Sequence, residues 1–205
     1  MTDSSKTPID FWFDFSSPYG YLMAEKIDDL AAKYGRKVKW HPILLGVIFQ
    51  TLGTRPPLDG TSSKSTYMWR DFARSARFMG IAYNPPSRFP LASQNAARAF
   101  YWLHGQDCAL ARQFARAVYR AFFVDDRDIS SPETVLDIGA GLGVDREALA
   151  AALQNPDIKA RLKDEVDAAL KVGVFGSPHV IIDGEAFFGA DRLPQMERWL
   201  ETGGF

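Results

Sequence analysis

Strand-like runs sit only near the two ends of this chain, and a helical period fills the stretch between them. Ile9-Asp10-Phe11-Trp12-Phe13-Asp14-Phe15 is short, aromatic and apolar, the pattern of a strand covered on both faces. Val38 to Leu45 alternates and then turns apolar, which reads as a second strand parallel to the first. From Gly46 to about Lys171 strand character disappears and the helical 3.6-residue period takes over. Beyond Gly173 the strand signal returns as Val180-Ile181-Ile182 and Ala186-Phe187-Phe188, joined by Asp183-Gly184. That dipeptide suits a type I′ turn, whose two central residues both need positive φ. The order assigns residues 1–45 and 172–205 to one discontinuous α/β domain and residues 46–171 to an all-helical insertion.

Between the first two strands, Ser17-Pro18 joins a favoured N-cap to a favoured first helical residue. The helix it starts is expected to bury Leu22, Ile27, Leu30, Ala31 and Tyr34 and to stop at Gly35. Within the insertion, Trp69, Phe72, Ala73, Ala76 and Met79 share one helical face. Ala99, Trp102 and Leu103 mark another helix, as do Phe114, Ala115, Val118 and Phe122, and Ser131-Pro132 repeats the cap-and-proline start. Thr51 to Ser65 and Tyr83 to Pro90 are rich in Gly, Pro, Ser and Thr and read as loops bordering a pocket. A last helix over about Arg192 to Leu200 closes the chain. In that order the elements give an α/β, thioredoxin-like fold with a large all-helical insertion.

A formal net charge of −1, with acidic and basic residues interspersed, leaves no footprint for nucleic acid or for an anionic membrane surface. No run reaches the roughly 18 apolar residues of a membrane span. Met1 to Lys6 lacks the apolar stretch of a signal peptide, so the protein is read as cytoplasmic. The single cysteine, Cys108, leaves no Cys-x-x-Cys pair for dithiol exchange. It is expected to be buried as a small hydrophobe, with activation near a helix start as the alternative. His41, His104 and His179 are too scattered for a spacing-defined metal site and read as surface or packing residues. Val135 to Gly143 is similar to the first glycine loop of S-adenosylmethionine-dependent methyltransferases, but a helix start precedes it and helix follows, so it reads as a glycine-rich helix end.

Ser17 places a hydroxyl at a helix start just past the carboxyl end of a strand, where open α/β sheets bind ligands. Unpaired N–H groups and the helix dipole favour an anion there, a thiolate among them. The plainer reading is that Ser17 is an N-cap and nothing more. Ser177-Pro178 precedes the returning strand. A cis bond there exposes the N–H and C=O of Ser177 to a peptide ligand, whereas a trans turn is the commoner state of such a pair.

Phe-x-Phe-Asp-x-x-Ser-Pro-Tyr at the start, with Val-Phe-Gly-x-Pro and Phe-Phe-Gly-x-Asp-Arg at the end, resembles the 2-hydroxychromene-2-carboxylate isomerases and the kappa-class glutathione transferases. Both belong to the DsbA-like branch of the thioredoxin superfamily, and the resemblance spans essentially the whole chain. It implies that glutathione is the cofactor and that the Ser17 hydroxyl faces its sulfur. Ser177, before a cis Pro178, then pairs with the tripeptide backbone, and Asp191 meets the γ-glutamyl ammonium, with Thr54 and Ala190 at the same site. The family generally has asparagine where Thr54 stands, often lysine where Gln50 stands, and a polar residue where Ala190 stands. Tyr19, Phe49, Gln50, Tyr67 and Phe89 are candidate walls for a small, flat aromatic substrate, with core packing as the other role of the aromatics. In the isomerase reading a thiolate adds reversibly to a conjugated chain, so that rotation and loss of the thiol leave the trans isomer. A conjugating transferase and a non-catalytic binding module are the alternatives. The resemblance also implies a homodimer.

Overall fold

The computed structural model describes residues 7–58 and 60–205, so the leader Met1 to Lys6 and the loop residue Asp59 lie outside the described residues. Strands β1 (Ile9–Phe13), β2 (Val38–Pro42), β3 (His179–Ile182) and β4 (Glu185–Phe188) form one sheet in the order β2-β1-β3-β4. β1 runs parallel to β2 with Phe11 opposite Trp40, and antiparallel to β3 with Phe11 opposite Val180. The two ends of the chain therefore share a sheet. Asp183 and Gly184 join β3 to β4 at φ 52° and 89°, the positive values of the expected turn.

The first strand ends two residues earlier than its apolar run. Asp14 turns the chain by accepting the Ser16 N–H on Oδ1 at 2.7 Å, and its Oδ2 accepts the Leu45 N–H at 2.7 Å. That second bond helps start α3 (Leu45–Leu52), which is why β2 stops at Pro42 rather than Leu45. The single helix expected after Ser17 is two, α1 (Pro18–Ala24) and α2 (Ile27–Lys33). Gly20 to Ala24 are all buried, more than one stripe of a surface helix can supply, and the break lets α2 present Ile27, Leu30 and Ala31 on a new axis.

The middle of the chain contains α4 (Ser63–Met79), α5 (Gln94–His104), α6 (Cys108–Phe123), α7 (Pro132–Gly141), α8 (Arg146–Gln154) and α9 (Pro156–Lys171). The first expected loop is shorter at both ends: Thr51 and Leu52 finish α3, and the Ser62 hydroxyl caps α4 by accepting the Ser65 N–H at 3.1 Å. The glycine-rich stretch is helical through Gly141, and Gly139 lies so close to Leu149 that a Cβ there would sit 2.5 Å from its Cδ2. This is a helix–helix contact, not a cofactor loop. After β4 come a short 3-10 helix, Ala190–Arg192, and α10 (Leu193–Thr202).

Phe11, Phe13 and Trp40 pack together on the side of the sheet met by α2 and α6, where Arg116 of α6 lies over Trp40 and pairs with Asp28 of α2. Phe13 continues the cluster to Phe100 of α5 and Tyr119 of α6. Each fully buried Phe of this kind contributes about 2 kcal/mol by leaving water. On the other side Trp12 stacks on His41, whose ring nitrogens meet Asp10 and Glu165 of α9. The sheet is thus packed on both faces, and the residues beyond the ends of β1 and before β3 come together at one edge of the core.

Candidate functional site

Ser17 is the N-cap of α1, as read from the sequence. Its Oγ accepts the Gly20 N–H at 3.0 Å and donates its own proton to the Ser177 carbonyl at 2.9 Å. Only 5 % of the residue is exposed. α1 has seven residues, so the first-turn N–H groups, rather than the dipole of a long helix, are what it offers a ligand.

The Ser177–Pro178 bond is cis, and so is Phe89–Pro90, which the sequence did not single out. Ser177 Oγ accepts the Asp14 N–H at 3.1 Å, while the Asp14 carbonyl accepts the Ser17 N–H at 2.9 Å and the Tyr119 hydroxyl at 3.0 Å. Asp14 therefore ties together the end of β1, the start of α3, α6 and the turn before β3. Burial raises its carboxyl above the ordinary carboxylate range, against the opposing pull of hydrogen bonds from Leu45, Ser16 and Ser93. Gly20 is equally constrained: a Cβ would lie 2.7 Å from the Tyr119 hydroxyl and 2.8 Å from Ser177 Oγ. The Ser177 N–H has no hydrogen-bond partner among the described residues.

Beside this knot lies a cavity of about 690 Å³ between α4 and the segment running from β4 into α10. Tyr19, Tyr67, Ser177, Pro178, Ala190 and Asp191 all line it, so the structure brings together six residues singled out from sequence. Ser17 does not line it and is joined to its wall by the hydrogen bond to Ser177. Asp71 and Arg192, which sequence reasoning missed, also line it. The Tyr19 phenol donates to Asp71 Oδ2 at 2.8 Å, and Arg74 donates to Asp71 Oδ1 at 2.5 Å. Burial works against ionisation of Asp71, but the bonds from Arg74 and Tyr19, with Arg74's charge, outweigh it and hold the carboxyl below its usual range. Burial and then Asp71 push the Tyr19 phenol well above its ordinary value, so it stays a neutral donor. Asp191 is paired with Arg192 at 3.1 Å, and its side chain remains 70 % exposed. A sequence signal existed for Asp71: Tyr67, Asp71 and Arg74 form a polar stripe along one side of α4.

Besides Ser17, four expected residues lie outside the wall of this cavity. Phe49 and Gln50 are on the last turns of α3, half-buried and exposed respectively, and Thr54 is exposed just past that helix. Phe89 packs edge-on against Trp69 and parallel to Phe122, so the core claims it. Cys108, expected to be buried, is exposed at the first position of α6, where Asp107 caps the helix and turns the thiol outward toward His104. His41 is a satisfied packing residue, as expected. His179 is buried with neither ring nitrogen bonded, and burial lowers its basicity. Among the described residues no group of three His, Cys, Asp or Glu is placed to hold a metal, and no helix is long and apolar enough to cross a membrane.

A strand-turn-helix bearing Ser17, a cis proline before an antiparallel strand, and helices inserted between them are the elements of one fold family, whose model, the DSBA-like thioredoxin domain, matches residues 8–201. The chain belongs to that family. Within it, a 2-hydroxychromene-2-carboxylate isomerase of Sphingobium xenophagum is 29% identical over 94% of this chain and 97% of its own length. Glutathione S-transferase kappa 1 of Caenorhabditis elegans is 25% identical over 90% of this chain and 87% of its own. A solved 2-hydroxychromene-2-carboxylate isomerase superposes with a TM-score of 0.86 at 26% identity, covering 95% of both chains. The DsbA-like fold is thus shared with isomerases and transferases, and this chain has Ser17 at the helix start.

Proposed function

We propose that this protein is a glutathione-dependent isomerase of the 2-hydroxychromene-2-carboxylate type, acting on a small aromatic-derived substrate. The observation that carries the reading is the convergence on one cavity of Ser177, with an unpartnered N–H and a carbonyl, and of Asp191, Arg192 and Asp71. These groups fit a zwitterionic tripeptide. A backbone N–H and C=O at Ser177 can pair with a peptide as a strand would. Acidic and basic side chains at the far wall suit an ammonium and a carboxylate on one carbon. When bound, glutathione supplies a thiol that, ionised, adds reversibly to a conjugated double bond.

The protein's own part is to hold that sulfur ionised. A free thiol has a pKa of about 8.5, so it is mostly protonated at neutral pH. The Ser17 hydroxyl is the donor placed at the helix start, and a hydrogen bond to the anion favours ionisation. Tyr19 and Tyr67, with Met68, Phe78, Met79 and Phe188, give the cavity an apolar side suited to a flat substrate. The relatives named as kappa transferases support a second reading in which the thioether is the product. Incubation with glutathione and a 2-hydroxychromene-2-carboxylate separates the two: the trans isomer with glutathione unconsumed supports isomerase, and a stoichiometric adduct supports transferase. No glutathione dependence of either reaction refutes both. The reading extends, by family resemblance, to a cytoplasmic homodimer, which light scattering on the purified protein checks.

A further inference from the structure

Ser17 has one hydroxyl proton, and it is already committed, because Oγ donates to the Ser177 carbonyl at 2.9 Å inside a buried cluster. The oxygen is held in place from the other side by the Gly20 N–H at 3.0 Å. The start of α1 is closely packed beside it, as a Cβ at Gly20 would stand 2.7 Å from the Tyr119 hydroxyl and 2.8 Å from Ser177 Oγ. Rotation about the Cβ–Oγ bond can swing the proton while the oxygen keeps its bond from the Gly20 N–H. Ser177 is at once the acceptor of that proton and a wall of the cavity, and its own N–H is unpartnered. Any extended peptide pairing with Ser177 brings an amide N–H to the same carbonyl that Ser17 occupies.

We propose that the Ser17–Ser177 hydrogen bond is a latch, opened by a ligand amide N–H that takes over the Ser177 carbonyl and frees the Ser17 hydroxyl to turn onto the ligand's sulfur. The inference rests on the glutathione reading and adds a rule to it: thiols carried next to a peptide N–H are activated and simple thiols are not. No covalent bond changes in the protein. The ligand's S–H proton leaves to solvent, the sulfur keeps the electron pair, and the freed O–H donates to it. The latch thus couples recognition of the backbone to ionisation of the thiol, and in an unoccupied site the Ser17 proton stays on the Ser177 carbonyl.

Two measurements decide the matter. In the first, thiolate absorbance is titrated with pH for the protein saturated with glutathione, with γ-glutamylcysteine, and with a depsi analogue whose cysteinyl N–H is replaced by oxygen. Both amide-bearing thiols are expected to show about fivefold more thiolate than when free, at a pH one unit below their free midpoint, and the bound depsi analogue no increase. An equal increase with the depsi analogue overturns the latch while leaving glutathione binding intact. In the second, S-methylglutathione is titrated by calorimetry into the wild type and Ser17→Ala. Without a latch to displace, the variant is expected to bind several-fold more tightly, and unchanged or weaker binding overturns the proposal even if the depsi analogue fails to bind. If glutathione itself does not bind the wild type, the glutathione reading falls, and the latch falls with it.

Discussion

The amide of Asp14 donates to the hydroxyl of Ser177 at 3.1 Å, fastening the end of the first strand to the turn that opens the third. The two residues are far apart in sequence, and both are buried. Ser177→Ala leaves the Asp14 N–H without a partner, and a buried unsatisfied donor costs about 1–3 kcal/mol. A lower urea midpoint with an unchanged m-value is the expected result. A loss under about 0.5 kcal/mol, the range of an ordinary surface substitution, would show that the bond does not hold the turn.

Gly20→Ala is expected to destabilise the protein although alanine is the better helix former by about 1 kcal/mol. The added methyl meets the Tyr119 and Ser177 oxygens well inside contact distance, and overpacking of a filled core costs about 1–3 kcal/mol. Tyr119→Phe removes one of the two oxygens. In a double-mutant cycle the pair is expected to be less destabilising than the sum of the single changes, and simple additivity would refute the steric account.

Asp191→Asn keeps shape and removes charge. With the side chain 70 % exposed, folding stability is expected to stay within about 0.5 kcal/mol of wild type. If the carboxylate meets an ammonium, the lost charge-assisted bond is worth about 1.5–3 kcal/mol, a ten- to hundredfold weaker affinity for glutathione by calorimetry. An unchanged affinity removes Asp191 from the site.

His41 gives a pH prediction. Burial lowers its basicity, but the hydrogen bonds and charges of Asp10 and Glu165 on its two nitrogens prevail and raise it above the ordinary value. A raised folded pKa means stability that is fully present below the unfolded pKa of ~6.5 and is lost as pH rises through the folded one. His104 and His179 are shifted the other way by burial, so the wild-type curve alone mixes both signs. The stability difference between wild type and His41→Gln isolates the effect. It is expected to shrink as pH rises from 6 to 9 in urea unfolding, and a difference that grows would reverse the assignment.

Much of this fold was legible because its signals are local. Asp183-Gly184 announces its turn through the φ values it tolerates, Ser17-Pro18 its helix start through capping, and the long 3.6-residue period its helices. The misreadings have non-local causes. The α1–α2 break answers to burial on every side of α1, and the early ends of β1 and β2 to the carboxylate of Asp14; which of its two expected roles Phe89 takes is set by Trp69 and Phe122.

The amino-acid order by itself picked out the candidates for chemistry: Ser17 capping a helix start, Ser177 before a proline, Asp191 beside an arginine, and no second cysteine to make a dithiol. Only the tertiary structure decided what faces what. It set Asp71 and Tyr19 on the wall of one cavity with Ser177, left Phe49 and Gln50 off that wall, and placed the proton of Ser17 on a carbonyl 160 residues distant. Capping and turn preferences act over a few residues and can be read from them. A hydrogen bond or a cavity wall depends on how whole helices dock on the sheet, which no short window of sequence contains.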